Sequence, residues 1–254
     1  MKSEVINKTV LVTGASGGIG KATAQMFADA GAKVIVHYHS NKQKAEEVLS
    51  QLGSNGLFII SGDLTSAEDL KNMMSEIESK IERIDILVNN AAVHKDLPAV
   101  STEFDEWAAN WNKTITTNLT GTAFLSYQVS KHMIARGGGR IVNVSSRGAF
   151  RGEPEAWEYG ASKAGLNALG QSMAKALAAY NVFVYTVAPG FVETEMAATI
   201  LAGPRGDEIR SQSPFGRVAK PEEVAKTILL LATEAPDFMT GCIVDINGAS
   251  YLRT

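Results

Sequence analysis

The chain has little cysteine, no long apolar run and no block of like charge. Its 254 residues include one cysteine, Cys242, so an intramolecular disulfide and a cysteine-based metal site are excluded. No apolar run approaches the roughly 20 residues that a membrane-spanning helix needs. The short polar N-terminus is not typical of a signal peptide. The formal net charge is −3, and no Lys/Arg-rich block suggests nucleic acid. We therefore expect a soluble cytoplasmic protein without a metal site, a nucleic-acid partner or a membrane partner.

Seven short β-branched runs alternate with helix-length segments along most of the chain. Most runs are continuously apolar, which is typical of strands buried on both faces of a parallel sheet. No Pro/Gly/Ser-rich linker divides the chain. The pattern predicts a single α/β domain over residues 1–254, with a Rossmann-type, doubly wound, seven-stranded parallel sheet and helices on both faces. The predicted strands are 9–13, 33–37, 57–61, 84–89, 140–144, 182–188 and 243–247. The predicted helices are about 18–30, 41–52, 66–80, 103–136, 159–179 and 220–233.

Two segments break this alternation. Residues 103–136 are too many for one simple crossover helix, so we expect a bend or break near Asn118. Residues 189–220 contain several glycines and prolines and no clear strand. Long irregular segments in compact domains often serve as lids or binding loops, which makes 189–220 a candidate substrate lid.

A glycine-rich turn follows the first predicted strand. It reads Thr13-Gly14-Ala15-Ser16-Gly17-Gly18-Ile19-Gly20 and runs into the first predicted helix. Glycines permit a tight turn and close approach of a phosphate, and the helix N-terminus offers free N–H groups. The spacing is T-G-x-x-x-G-x-G rather than G-x-G-x-x-G. The turn predicts a dinucleotide site, with these contact residues: Gly14, Ser16, Gly18, Ile19 and Gly20.

A tyrosine and a lysine stand four residues apart in the segment that begins Tyr159-Gly160-Ala161-Ser162-Lys163. On a helix this spacing puts both side chains on one face. A free tyrosine titrates near pH 10, too high for efficient acid–base work at neutral pH, and a neighbouring ammonium favours the phenolate. The pair is therefore a candidate proton donor, with Lys163 predicted to lower the pKa of Tyr159. Ser146, just past the fifth strand, is a candidate to hold a substrate carbonyl oxygen.

In this order along the chain, the motifs resemble those of the short-chain dehydrogenase/reductase family. The matching segments are Thr13 through Gly20, Asn89-Asn90-Ala91-Ala92, Asn118, Ser146, and Tyr159 with Lys163, the last pair 13 residues after the serine. Ala92 departs from the family's usual glycine. The resemblance implies that Lys163 holds the nicotinamide ribose hydroxyls and that Asn118 holds a water connecting Lys163 to solvent.

The cofactor prediction depends on the residues after the second strand. An acidic residue there would hold the ribose 2′-hydroxyl of NAD, but the segment has no carboxylate. Hydroxyl, amide and cationic groups favour a 2′-phosphate, so we expect NADP(H), with NAD(H) as the alternative. The predicted contacts at this strand end are Tyr38, His39 and Ser40. The resemblance adds Asp63 and Leu64 at the adenine, Asn90 and Ala91 at the adenosine ribose, and Pro189, Gly190, Val192 and Thr194 at the carboxamide. Thr194 is alternatively a helix cap.

These residues predict an NADP(H)-dependent oxidoreductase that interconverts a small-molecule carbonyl and alcohol, with Tyr159 as proton donor or acceptor. An alternative is a 3-oxoacyl-(acyl carrier protein) reductase of fatty-acid synthesis. An alternative of another class is a non-catalytic dinucleotide-binding redox sensor, whose signature would be loss of the catalytic residues. Candidate pocket walls include His94, Arg147 and Arg151; the arginines either attract an anionic substrate or pair with nearby glutamates. The resemblance implies a homotetramer, or a homodimer.

Overall fold

A seven-stranded parallel sheet forms the centre of the computed structural model, which describes residues 5–253. Residues 1–4 and 254, which belong to the predicted 1–254 domain, lie outside the described part. The strand order is β3-β2-β1-β4-β5-β6-β7, so the predicted α/β fold and all seven strands are confirmed within two residues of their expected bounds. The strands are β1 Thr9–Val12, β2 Lys33–Tyr38, β3 Gly56–Ser61, β4 Ile86–Asn89, β5 Gly139–Val144, β6 Val182–Pro189 and β7 Ile243–Ile246.

Helices cover both faces of this sheet. Side chains alternate along each strand, so Val10 and Val12 of β1 pack into one core while Leu11 packs into the other. The first core joins the helices at 18–29, 42–51 and 221–233 to the sheet, and the second joins those at 67–80, 122–135 and 157–177. The α-helices are α1 Gly18–Asp29, α2 Lys42–Gln51, α3 Ala67–Lys80, α4 Phe104–Ile115, α5 Thr122–Ala135, α6 Gly148–Arg151, α7 Trp157–Leu177, α8 Glu195–Ala202, α9 Gly206–Ser211 and α10 Pro221–Thr233.

The long helical segment is interrupted where the sequence predicts a break. Between α4 and α5 the chain forms a π-helix over Thr116–Gly121, which contains Asn118. π-Helical turns are rare inside helices and occur frequently at functional sites. Gly121 lies so close to the chain after β3 that a Cβ atom there would sit 2.0 Å from the carbonyl oxygen of Leu64. The interruption thus packs tightly against the carboxyl end of β3.

The segment after β6 contains two short helices, α8 and α9, which the sequence pattern does not predict. Ala197, Leu201 and Ile209 form a small apolar cluster between them. An isolated bridge joins Val192 to Ala219, so the two ends of the segment meet. Glycines and prolines hide the helical period because they interrupt it between and after the helices.

The carboxyl ends of β1, β4, β5 and β6 lie side by side at one edge of the sheet. The chain order reverses direction between β1 and β4, and doubly wound sheets bind their ligands at such a switch point. Within residues 5–253, no helix combines the length and the apolar character that crossing a membrane requires. No three His, Cys, Asp or Glu side chains in the same range are grouped to hold a metal ion.

Candidate active site

The glycine-rich turn after β1 has the backbone that its sequence predicts. Gly14 and Gly18 adopt left-handed conformations, with φ of 62° and 52°. A Cβ atom on Gly20 would lie 2.2 Å from the carbonyl oxygen of Gly14, so only glycine fits there. Gly17 precedes α1 without any side-chain cap, which leaves the helix's first N–H groups without a side-chain acceptor. The turn therefore fits a dinucleotide diphosphate, which would accept hydrogen bonds from these groups.

A buried histidine supports this turn from the neighbouring strand. The N–H of Gly14 donates to Nδ1 of His37 at 3.1 Å, and Nε2 of His37 lies 3.1 Å from the carbonyl oxygen of Gly62. Because Nδ1 accepts, we assign the ring hydrogen to Nε2. Burial lowers the pKa of His37 to about 4, so the ring is neutral. The sequence predicts His37 only as a residue of the second strand, because no local pattern marks a histidine that contacts a distant turn.

Thr13 and Asn90 fasten the turn to the end of β4. The N–H groups of Asn90 and Ala91 donate to Oγ1 of Thr13 at 2.9 and 3.0 Å. Nδ2 of Asn90 donates to the carbonyl oxygens of Thr13 and Gly14 at 2.9 and 3.2 Å. The amide of Asn90 is therefore engaged with the turn. Ala92 does not have the left-handed backbone that favours glycine, so its extra methyl group causes no backbone strain.

Five of the predicted adenosine contacts, Tyr38, His39, Ser40, Asp63 and Leu64, lie at the carboxyl ends of β2 and β3. Tyr38 is the last residue of β2, and His39 and Ser40 follow it with exposed side chains. Nε2 of His39 lies 3.7 Å from the carboxylate of Asp63. Hydrogen bonds from Thr65 hold the pKa of Asp63 below its usual range, so this carboxylate stays ionised. Leu64, next along the chain, is buried.

Lys44 is a charged residue near this region that no sequence motif marks. Its Nζ lies 2.5 Å from Oε2 of Glu195, which opens α8. Lys42 instead pairs with Glu46 along α2, at 3.5 Å. The ion pair of Lys44 therefore joins α2 to the segment after β6, and only the fold brings these residues together, since they are 151 positions apart.

Ser146, Tyr159 and Lys163 meet at the carboxyl end of β5. Ser146 follows the strand, and its Oγ accepts a hydrogen bond from the N–H of Gly148 at 3.0 Å. Tyr159 and Lys163 lie on α7. Burial raises the pKa of Tyr159 to about 12, and the neighbouring Ser146 side chain acts in the opposite direction. The Ser146 and Tyr159 side chains are thus neighbours at this end of β5.

The predicted lowering of the Tyr159 pKa by Lys163 is wrong for this structure. Nζ of Lys163 donates to the carbonyl oxygen of Val144 at 2.7 Å and lies 5.7 Å from the centre of the Tyr159 ring. Lys163 is itself buried, and burial lowers its pKa to about 8. Desolvation of the phenol therefore outweighs any attraction from the ammonium.

Asn118 is buried in the π-helix, and its side-chain amide is heavily engaged. Both N–H groups donate, one to the carbonyl oxygen of Val93 at 2.9 Å and the other to Oγ of Ser162 at 3.2 Å. Oδ1 accepts from the N–H of Val93 at 2.8 Å. Ser162 in turn donates to the carbonyl oxygen of Tyr159 at 2.8 Å. A water at Asn118 would have to use the second lone pair of Oδ1 or the backbone, so its role in a water chain stays a prediction.

His94 forms part of the wall around Tyr159. The two rings make an edge-to-face contact, with centroids 4.7 Å apart and planes at 84°. Nε2 of His94 lies 3.5 Å from the carboxylate of Asp96. The imidazole therefore restricts how a substrate can approach the phenol.

The start of the segment after β6 contacts the glycine turn. Thr194 caps α8 by accepting from the N–H of Ala197, which confirms the capping interpretation. Its methyl carbon would lie 3.2 Å from a Cβ atom on Gly18. Pro189 ends β6, and Gly190 donates its N–H to the carbonyl oxygen of Ile246 at 3.0 Å. Of the predicted carboxamide contacts, Thr194 therefore lies against the turn, Gly190 lies against β7, and Val192 is buried in the core.

Comparisons with known proteins agree with this geometry. The family model described as short chain dehydrogenase matches residues 8–204. The chain is 36% identical over 256 residues to a 3-oxoacyl-(acyl-carrier-protein) reductase of Aquifex aeolicus, covering 99% of this chain and 100% of the relative. It is 37% identical over 244 residues to the same-named enzyme of Thermotoga maritima, covering 95% and 96%.

Solved structures agree as well. A putative NAD(P)-dependent gluconate 5-dehydrogenase from Beutenbergia cavernae, with bound NADP, superposes with a TM-score of 0.89 at 31% identity, covering 97% of this chain and 98% of that chain. A putative gluconate dehydrogenase from Agrobacterium tumefaciens gives 0.91 at 28% identity, covering 97% of each chain. The chain therefore belongs to the short-chain dehydrogenase family and is an NAD(P)-dependent oxidoreductase that acts on alcohol and carbonyl groups.

Proposed function

We propose that this protein is an NADP(H)-dependent oxidoreductase that interconverts a small-molecule carbonyl and its alcohol, with Tyr159 exchanging the proton. The observation that carries the proposal is that Ser146, Tyr159 and Lys163 meet at the carboxyl end of β5, on the sheet edge that also holds the glycine turn. The cofactor, when bound, supplies or accepts the hydride. Its diphosphate would be held by the N–H groups at the start of α1, and Asn118, Ser146, Tyr159 and Lys163 would form the catalytic group.

The residues around the substrate oxygen determine where charge and proton go. Hydroxyl groups of Ser146 and Tyr159 would bind the carbonyl oxygen, on which negative charge grows during reduction. Tyr159 would donate its proton to that oxygen, and the reverse transfer would serve alcohol oxidation. Lys163, on the same face of α7, would compensate the phenolate charge that remains.

Wild type and Ser146→Ala would be compared by NADPH absorbance with ketones, 3-oxoacyl thioesters and quinones. Equal rates in the two proteins would contradict the role of Ser146.

The preference for NADP(H) is supported by charge at the end of β2. No carboxylate follows Tyr38 in the 38–44 segment. Lys44 stands at the edge of this region, and its partner Glu195 is exposed, so a 2′-phosphate would compete with Glu195 for the ammonium. One solved relative carries NADP. NAD(H) is the alternative, and tighter binding of NADH than of NADPH in a fluorescence titration would establish it.

Reduction of 3-oxoacyl groups on acyl carrier protein is a second candidate function. It is favoured by relatives of that name that are 36 and 37% identical over nearly the whole chain. Tyr180 and Asn181 give no positive charge where carrier-binding enzymes often have a basic residue. A 3-oxoacyl group on the carrier would be compared with the same group on a short thioester. A kcat/KM at least tenfold higher for the carrier substrate would support this function, and equal values would refute it.

The proposed homotetramer, or homodimer, is supported by apolar side chains exposed on the helices beside the site. On α5, Phe124 and Tyr127 are 47 and 66% exposed. On α7, Ala161, Ala164 and Ala168 are exposed small residues that would let another helix approach closely. Light scattering would test the assembly, and a mass near the 27.1 kDa of one chain would refute it.

A further inference from the structure

A cavity of about 210 Å³ lies beside the catalytic serine, under the end of the segment that follows β6. Its walls come from α9, from the chain before α10 and from the turn after β7. They combine apolar and polar groups, including Phe191, Ile209, Ala219, Ser213, Asn247 and Ser250. Ser146, Tyr159 and Lys163 do not line it. The cavity is therefore separate from the residues that carry the proton.

Arg147 supplies this cavity with a buried positive charge. It follows Ser146 directly, and its side chain is among the least exposed of the charged groups, at 3% for the whole residue. Nη1 donates to Oγ of Ser250 and Nη2 to Oε1 of Gln212. The guanidinium also lies over the Phe191 ring, 5.3 Å from its centre. All three partners are neutral.

No carboxylate of residues 5–253 lies within ion-pair distance of Arg147, although nearby charges have partners of their own. Arg151 pairs with Glu153 at 3.6 Å, and Arg217 and Glu223, which both line the cavity, pair with each other through two hydrogen bonds of 2.8 Å. Burial lowers the pKa of Arg147 only to about 10, so the group remains cationic. Burying a cation without a directly paired counter-ion costs free energy, and an anion in the cavity would offset that cost.

We propose that this cavity binds a small organic carboxylate, which Arg147 holds with charge-assisted hydrogen bonds. A guanidinium matches a carboxylate in geometry, and the N–H groups that Ser250 and Gln212 leave free can be donated to it. The polar groups of Ser213 and Asn247 can contact the polar end of such a ligand, while Phe191 and Ile209 can contact its carbon chain. The carboxylate belongs either to one end of the substrate or to a separate effector.

The site lies where its occupancy would affect catalysis. The N–H of Arg147 donates to the carbonyl oxygen of Pro189 at 2.8 Å, so the residue connects the ends of β5 and β6. Gln212 brings the end of α9 to the same guanidinium. A carboxylate bound there would therefore contact Arg147, which follows Ser146, and would lie beside Gln212 at the end of α9.

Ligand-observed NMR with propanoate and its neutral isostere propanamide tests the proposal on the cofactor-free protein. We expect wild type to bind propanoate at least tenfold more tightly than propanamide, and Arg147→Gln to lose that preference. Lys220→Gln, which removes an exposed cation beside the cavity, should retain it. Equal binding of the two probes to wild type, or an unchanged preference in Arg147→Gln, would overturn the proposal. No turnover is needed, so this failure is distinct from failure of the proposed oxidoreductase function.

A second variant keeps the test independent of the arginine's role in folding. Ala219→Phe would fill the cavity while leaving Arg147 in place, and it should abolish propanoate binding; retained binding would overturn the site. Kinetics then separates the two sources of the carboxylate. If the substrate supplies it, propanoate inhibits competitively against a keto acid. If an effector supplies it, propanoate changes the rate without competing.

Discussion

Lys163 donates its Nζ hydrogen to the carbonyl oxygen of Val144 at 2.7 Å instead of to the Tyr159 hydroxyl. The ammonium is thereby held at the end of β5, while burial raises the pKa of Tyr159 to about 12. The phenol is thus neutral across the ordinary pH range in the cofactor-free enzyme, which suits a group that must donate a proton during reduction.

An ultraviolet difference titration of wild type against Tyr159→Phe should therefore show no ionisation step at the ordinary tyrosine pKa of about 10. The step should appear near pH 12 because desolvation penalises the phenolate. Phe is the matched change, since it removes only the hydroxyl. A midpoint below about 10 would show that Lys163 dominates after all.

His37 should make the protein less stable in mild acid. Its pKa is about 4 when folded and 6.5 when free, so the unfolded chain binds more protons between these values. The contribution of this group to stability is complete above pH 6.5 and is lost as the pH falls through the window, with a slope approaching about 1.4 kcal/mol per pH unit. Urea unfolding at several pH values would measure it. His37→Gln should flatten the slope, whereas the control His39→Gln, an exposed position, should preserve it; identical slopes in wild type and His37→Gln would contradict the assignment.

Alanine substitution should lower NADPH affinity at one glycine of the turn and leave it nearly unchanged at another. In Gly20→Ala the new methyl group would meet the carbonyl oxygen of Gly14 at 2.2 Å, and the turn must shift. We expect NADPH affinity to fall at least about tenfold, as overpacking costs of 1–3 kcal/mol imply. Gly17→Ala is the control, because no atom lies within 4 Å of its new methyl group and its φ is −169°. Fluorescence titration measures both, and equal affinities would argue against the predicted diphosphate site.

Lys44 should contribute to the choice between the two cofactors. We expect Lys44→Gln to weaken NADPH binding several-fold more than NADH binding, because only NADPH carries the 2′-phosphate. Lys42→Gln is the matched control, since Lys42 pairs with Glu46 along its own helix. The difference should shrink at high salt, which screens exposed charges. Equal losses for the two cofactors would remove Lys44 from the phosphate site.

Periodicity and glycine spacing carried most of the fold prediction. The buried strands show their continuous apolar runs directly, and the break near Asn118 follows from segment length, although its π-helical form does not. α7 begins at Trp157, two residues before the predicted start. Helices α8 and α9 could not be predicted because their period is short and interrupted by glycine and proline.

The order of the site residues along the chain was predictable, but their contacts were not. Sequence spacing places Tyr159 and Lys163 on one face, yet burial rather than proximity decides the pKa of each. Lys44 meets Glu195, and His37 meets Gly14, only through tertiary packing. Arg147 is the clearest case: its neighbours along the chain suggest a solvated ion pair, whereas the fold buries it beside Ser250 and Gln212.

Single-turnover hydride transfer in wild type and Tyr159→Phe measures most directly whether Tyr159 exchanges the proton. The same preparations would be titrated with NADPH to separate binding from chemistry. We expect a transfer rate about 10²–10⁴-fold lower in the variant, the range that general acid catalysis supplies, with NADPH affinity changed little. Equal transfer rates in the two proteins would contradict it.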